Sequence, residues 1–193
     1  MSKTIETTII NDRYLEAIGI NLISEAAAAD PGHAFKKIIP SMAFFCFAFE
    51  SKLNTYGSHV FQAKEWKKYT NSSLIGKLDW LFSRIKVDIT DEINELRNNI
   101  IQMIEFRNSL VHSKPINFQE ERELIGLENI DEKYIIPKRP ENDFMANYSL
   151  ENAESFQKSV CVFDAVWIHY SKNYFPDYDP SRVIGVSTAK VVQ

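Results

Sequence analysis

Cysteine, glycine and proline are all scarce in this chain of 193 residues, which has 2 Cys, 6 Gly and 7 Pro. Cys46 and Cys161 lie far apart with no second Cys or His at ligand spacing, so neither a disulfide framework nor a zinc site is predicted. The scarcity of glycine and proline favours long helices over many short strands joined by tight turns. The composition therefore predicts a helical protein of a reducing compartment, with no metal.

Long hydrophobic runs and an excess of positive charge are also missing. The most apolar stretch, residues 42–49, is far shorter than the roughly 20 residues that span a bilayer. A formal net charge of -4 argues against a general coat on duplex DNA, because such binding depends on many Lys and Arg contacts to phosphate. We expect a cytoplasmic protein with no membrane partner.

Apolar residues at helical spacing predict an all-α fold, a bundle of about five helices in a single domain over 1–193. The helical core is expected in 10–112 and 149–175. Residues 113–148 mix charges, prolines and short apolar groups, which is typical of a long irregular insertion before the last helix. The tail, 176–193, is expected to be an appended strand or a frayed end.

The residues that punctuate the pattern set the expected ends of the helices. The first helix should stop at Asp30-Pro31-Gly32. A second, buried helix should run from Ser41 to about Tyr56 and end at Gly57. The remaining helices are predicted around 64–69, along 74–85, from a cap at Thr90 or Asp91 to near His112, and from a cap at Ser149.

One arginine stands out because it falls in the middle of the apolar arc of the fourth predicted helix. Arg107 must be satisfied there, since a buried unpaired guanidinium would cost several kcal/mol. Glu50 is the candidate partner, as the one carboxylate in the otherwise apolar second helix, and Asn54 follows one turn later. Asn108 and His112 are one turn apart beside Arg107. We expect these five side chains to converge on one cleft.

The segment 105–112, Glu-Phe-Arg-Asn-Ser-Leu-Val-His, resembles the Arg-Asn-x-x-x-His motif of HEPN domains. Glu50 and Asn54, in an earlier buried helix, resemble the polar pair seen in some members. The resemblance implies an all-α HEPN-like bundle that forms a homodimer and, in active members, cleaves RNA without a metal or other cofactor. It also implies a setting in a toxin–antitoxin system or in antiviral (phage) defence.

The residue types of the motif suit attack by a ribose 2′-hydroxyl on its own phosphate. His112 would be the general base or acid, and Arg107 would hold the phosphate through two parallel hydrogen bonds. Asn108 would orient the histidine or the phosphate, and Glu50 and Asn54 would support the site. One copy of the motif supplies one imidazole, so the resemblance predicts an endoribonuclease site shared between two protomers.

Basic residues outside the motif are candidate RNA contacts, namely Arg97, Lys114, Lys138 and Arg139. The last three lie in the predicted insertion, whose acidic residues equally suit an autoinhibitory flap or a flap that binds a protein such as an antitoxin or a regulatory protein. Ser113, rather than the tyrosine of one HEPN branch, follows His112, so pairing with the nucleotidyltransferase antitoxin of that branch is not predicted.

Each assignment has a simpler rival. Arg107 and Glu50 could form only a structural ion pair, and His112 could only cap its helix, where the helix dipole favours an imidazole. The alternative function is then an inactive HEPN-like helical dimer that binds a protein or a nucleotide. Lys64, Lys67 and Lys68 around Trp66 form a small basic patch that is most simply a solvated face.

Overall fold

The computed structural model describes residues 4–9, 11–112, 148–175 and 187–192, and these contain six helices. In chain order the helices are α1 (Asp12–Ala27), α2 (Pro31–Val60), α3 (Ala63–Thr70), α4 (Leu74–Arg84), α5 (Asp91–Val111) and α6 (Leu150–Ser171). The predicted all-α architecture is confirmed.

A two-stranded ribbon joins the two ends of the chain. Strand β1 (Thr4–Ile9) pairs with β2 (Ser187–Val192) in antiparallel register, with Thr4 opposite Val192 and Ile9 opposite Ser187. Both segments are rich in β-branched residues, which favour extended backbone. The appended strand expected in the tail is therefore present at 187–192.

Helix α2 is the central element of the core, because α1, α4, α5 and α6 all pack against it. Its Phe45, Phe49 and Leu53 follow helical spacing and are buried. From α6, Phe163 meets Phe49 edge to face, with ring centroids 5.0 Å apart. The ring of Trp167 stacks on Tyr56 at 4.7 Å. Nearly all of the large aromatic side chains of the core thus lie on or around α2.

The predicted bounds of the second helix are wrong at both ends. Helix α2 begins at Pro31, directly after its N-cap Asp30, and it continues through Pro40. Proline suits the first turn of a helix, because the backbone N–H groups there have no helical partner. Pro31, which was expected only to end the first helix, therefore begins the second one. At the other end Gly57 does not stop α2. A Cβ atom there would lie 2.3 Å from the ring of Tyr69, so glycine is required by close packing.

The other predicted caps are confirmed. The side chain of Thr90 accepts a hydrogen bond from the backbone N–H of Ile93 at the start of α5, and Ser149 does the same for Asn152 in α6. Helix α5 ends at His112, as expected. The prediction of an irregular insertion at 113–148 falls, except for Tyr148, outside the described residues. None of the helices in the described ranges is long and apolar enough to cross a membrane.

Candidate functional site

Arg107 bridges two helices at the end of α5. One guanidinium nitrogen, Nη2, lies 3.6 Å from Oε2 of Glu50 on α2, and Nη1 donates a hydrogen bond to Oδ1 of Asn108 at 3.2 Å. The third nitrogen, Nε, is buried and has no partner among the described residues. The predicted pairing of Arg107 with Glu50 is therefore present.

The expectation that Arg107 lies in the interior is wrong, since its side chain is 30% exposed and that of Glu50 is 32% exposed. Arg107 is in the last two turns of α5, where the helix end leaves the core. Val111, which follows it by one turn on the apolar arc, is 56% exposed. Apolar periodicity gives the side of a helix that faces the core but not the point at which the core ends, and this explains the error.

His112 is the C-cap of α5, and its side chain is exposed. Its backbone N–H donates to the carbonyl oxygen of Asn108 at 2.9 Å. Residues four apart on a helix share a face, so the imidazole and the exposed Asn108 carboxamide lie one turn apart. Arg107 is in turn hydrogen-bonded to that carboxamide. Arg107 and Asn108 are thus hydrogen-bonded to each other, and the exposed side chain of His112 follows Asn108 by one turn.

The hydrogen bond of Asn54 does not connect it to Arg107, Asn108 or His112. Its Oδ1 accepts from Nζ of Lys77 at 2.8 Å, and this bond ties α2 to α4 instead of to α5. Lys77 is only 7% exposed, so the Asn54 carboxamide is satisfying a nearly buried ammonium. Helical spacing correctly places Asn54 one turn from Glu50, but it cannot tell which neighbouring helix supplies the partner.

Cys46 lies one turn before Glu50 on α2 and fastens the same helix pair. Its thiol donates to the carbonyl oxygen of Met103 on α5 at 3.2 Å. Burial raises the pKa of Cys46 to about 12, although the positive charge of Arg107 acts in the opposite direction. The thiol therefore stays protonated at neutral pH and has a packing role beside the candidate site.

The proposed RNA contacts outside the motif are only partly described. Arg97 makes a two-point ion pair with Asp79 of α4, and the hydrogen bond to Asp79 raises the pKa of Arg97. This pair joins α5 to α4, so Arg97 is engaged rather than free. Lys114, Lys138 and Arg139 lie outside the described residues.

A buried ionic cluster, not predicted from the sequence, lies on the opposite side of α2 from Glu50. Lys52 is fully buried, and its Nζ lies 2.7 Å from Asp164, 3.1 Å from Glu16 and 3.6 Å from Asp12. These carboxylates come from α6 and α1, so one ammonium holds three helices together. The signal was available, since Lys52 shares the apolar face of α2 with Phe45 and Phe49.

Two further groups complete this cluster. The hydroxyl of Tyr56 donates to Oδ1 of Asp164 at 2.6 Å, and Nη1 of Arg13 lies 3.4 Å from Oδ2 of the same carboxylate. Burial lowers the pKa of Arg13, but the negative charges of Asp164 and Glu16 outweigh this and raise the pKa overall. Two cations face three carboxylates, so the cluster keeps one excess negative charge.

Chemically the two groups of residues differ in access. The ammonium of Lys52 has no exposed surface, and a substrate could not reach it, so this cluster is a structural junction. Arg107, Asn108 and His112 can all be reached from solvent. Within the described ranges no group of three or more His, Cys, Asp and Glu residues is arranged to hold a metal ion.

No family model, no curated protein and no solved structure matches the chain significantly.

Proposed function

We propose that the protein is a metal-independent endoribonuclease of HEPN type, acting in a toxin–antitoxin or phage-defence setting. The observation that carries the proposal is the guanidinium of Arg107, which is held at the end of α5 by Glu50 and Asn108 and is still 30% exposed. An arginine fixed on one side and open on the other can form a bidentate contact with a phosphodiester.

The proposed reaction forms a bond between the ribose 2′-oxygen and the adjacent phosphorus and breaks the bond from phosphorus to the 5′-oxygen. A base removes the 2′-hydroxyl proton, and an acid gives a proton to the departing 5′-oxygen. The products are a 2′,3′-cyclic phosphate and a 5′-hydroxyl. Arg107 stabilises the negative charge on the non-bridging oxygens, which is where charge increases in the transition state.

His112 is the candidate for the proton transfers, and Asn108 is positioned to orient it or the phosphate. Each chain supplies one such imidazole, so the proposal includes a homodimer in which the second comes from His112 of the partner subunit. Val111 supports a contact at this place, since it is an apolar side chain 56% exposed next to His112. Glu50 has the supporting role of fixing the guanidinium.

The rival function is a catalytically inactive helical dimer that binds a protein or a nucleotide. The ion pair between Arg107 and Glu50 favours it to a limited extent, because that pair already gives the arginine a structural partner. Both functions predict a folded dimer, so only a test of chemistry separates them.

The test is incubation of the purified protein with mixed RNA in EDTA, beside the His112→Ala variant. We expect the wild type to cleave and to leave 2′,3′-cyclic phosphate ends, and we expect His112→Ala to lose at least about a hundredfold in rate, as general acid–base catalysis contributes that much. His169→Ala is a matched control, because His169 is another exposed histidine, on α6. A folded wild-type dimer that leaves all RNA intact, or an equally active His112→Ala variant, would contradict the proposal.

A further inference from the structure

Positive charge is concentrated in one part of this acidic chain. Residues 61–86 contain six Lys and Arg against two Asp and Glu, a net charge of +4 in a chain whose formal net charge is -4. Five of its six basic side chains are exposed, Lys77 being buried, and the segment also contains the half-buried Trp66 and Trp80. It forms α3, α4 and the turn that follows α4. Basic and aromatic residues together are typical of a surface that binds single-stranded nucleic acid.

An open cavity of about 560 Å³ lies on this segment, a size within the range of small-molecule sites. Phe61 and the half-buried Trp80 form its aromatic wall, with ring centroids 5.5 Å apart and rings almost perpendicular. Ser83, Arg84 and Lys86 also line the cavity. The cavity thus contains an indole ring, two cations and a hydroxyl group.

Each of the two carboxylates of the cavity has a basic partner. Asp79 is paired with Arg97, which lies outside the cavity lining. Glu65 lies 3.7 Å from Arg84, but both side chains are more than 40% exposed, and ion pairs of that kind are weak in water. An incoming phosphate could therefore share or replace the partner of Arg84 at little cost.

Lys86 is placed in the cavity by an unusual backbone. Its φ of 50° is in the left-handed region, and it is the only non-glycine residue with positive φ among those that the structure describes. The position follows the C-cap of α4, where the N–H of Val87 bonds to the carbonyl of Phe82 and where glycine is normally preferred. The turn alone would therefore be better served by glycine.

The ammonium of Lys86 is also oriented. It lies 5.7 Å from the ring centroid of Tyr174, and no carboxylate of the described residues lies within 4 Å of it. A cation held by an aromatic ring without an acidic partner keeps its charge available to an anion. Lys86 and Arg84 both line the cavity.

We propose that this cavity binds one nucleotide of single-stranded RNA, with the base on Trp80 and the phosphate on Arg84 and Lys86. The inference deepens the proposed function, since it rests on RNA as the substrate. Arg97, which contacts the edge of the cavity through Asp79, and Arg107 are ten residues apart on α5, or about 15 Å along the helix axis. A strand that occupies the cavity and reaches the candidate site must span at least about this distance.

The test measures binding of a 2′-O-methyl RNA of about 12 nucleotides by fluorescence anisotropy at several salt concentrations. This RNA lacks the attacking hydroxyl, so binding can be measured whether or not the protein is a nuclease. Lys86→Gly is the main variant, because glycine suits the backbone and the fold should be retained. We expect its affinity to fall about threefold to tenfold and the slope of log K against log salt to become shallower by about 0.7.

Trp80→Leu should weaken binding by about tenfold or more, since stacking contributes that much per base. Lys36→Ala is the matched control, because Lys36 is an exposed lysine of α2 outside the cavity, and we expect less than about a twofold change. Unchanged binding by Lys86→Gly and Trp80→Leu, or an equal loss in Lys36→Ala, would overturn the proposal.

A free mononucleotide offers the same base and phosphate as an RNA strand, and a competition experiment separates the two sources. We expect AMP and UMP at about 1 mM to leave the RNA bound, because one nucleotide gains only a fraction of the contacts. Efficient displacement by either would assign the cavity to a free nucleotide and overturn the assignment to RNA. A wild-type protein that binds the 2′-O-methyl RNA but does not cleave unmodified RNA would instead count only against the proposed function.

Discussion

At the scale of single residues, the strongest dependence of stability should lie at Lys52, away from the candidate site. Its buried ammonium is the common partner of Asp12, Glu16 and Asp164. Removing one partner of a buried ion pair leaves charge uncompensated in a medium of low dielectric constant, which costs more than an intact pair contributes. The cluster should therefore tolerate loss of its cation poorly.

We expect Lys52→Met to lower the free energy of unfolding by about 3–5 kcal/mol. Methionine keeps most of the side-chain length, so the effect measures the charge rather than a cavity. Lys36→Met, an exposed position on the same helix, is the control and should change stability by less than about 0.5 kcal/mol. Urea unfolding of the three proteins checks this, and equal midpoints for Lys52→Met and wild type would show that the cluster contributes little.

The buried thiol of Cys46 should make the free energy of unfolding depend on pH in the alkaline range. The pKa of this thiol is about 12 in the folded protein, against an ordinary value of 9.0 for the unfolded chain. The contribution of the protonated thiol to stability is thus fully present below about pH 9 and is lost as the pH rises towards the folded value, because only the unfolded chain releases its proton in this window. Each pH unit in it costs about 1.4 kcal/mol.

Cys46→Ala should therefore show a shallower fall in unfolding free energy than wild type between about pH 9 and 11, by roughly 2 kcal/mol over the interval. Comparison of each protein with its own value at neutral pH removes the packing effect of the substitution. Denaturant unfolding under reducing conditions gives both curves. Parallel curves would mean that the thiol ionises as readily in the folded protein as in the unfolded one.

At the scale of the helices, the packing of Tyr69 of α3 against α2 depends on one glycine of α2. A Cβ atom on Gly57 would meet Cε1 and Cζ of Tyr69 at 2.3 and 2.6 Å. The ring cannot easily move, because its hydroxyl donates to the carbonyl oxygen of Leu53 at 2.6 Å. Packing here should outweigh the intrinsic preference of helices for alanine.

Gly57→Ala should accordingly lower the free energy of unfolding by about 1–3 kcal/mol. Ser58→Ala serves as the comparison, since Ser58 is the next residue of α2, is exposed, and should change stability by less than about 0.5 kcal/mol. Thermal unfolding followed by circular dichroism measures both. A more stable Gly57→Ala protein would mean that helix propensity wins over the contact with Tyr69.

The helix bounds also show which features of the fold can be predicted from the sequence. Thr90, Ser149 and the end at His112 were predictable, because capping is a local interaction among residues close in the chain. The extent of α2 was not, since Pro31 and Gly57 can each start or interrupt a helix, and tertiary packing decides which. Of the two polar residues of α2 placed at the candidate site, Glu50 meets Arg107 of α5 as predicted, whereas Asn54 meets Lys77 of α4.

At the scale of the whole molecule, the central claim is that the end of α5 presents a phosphate-binding arginine rather than a structural ion pair alone. The fold supports it by fixing Arg107 between Glu50 and Asn108 on a helix that α2 and α6 hold in place. The alternative makes Arg107 only a link between α2 and α5. The two readings predict different outcomes for a substitution that keeps the positive charge.

The most direct test is the RNA cleavage rate of Arg107→Lys, measured together with its free energy of unfolding. Lysine can keep the charge opposite Glu50 but lacks the planar fork of donors. We predict that the cleavage rate falls by about a hundredfold while stability changes by less than about 1 kcal/mol. A variant that cleaves RNA as fast as wild type, or one whose lost activity is matched by a comparable loss of folded protein, would contradict the account.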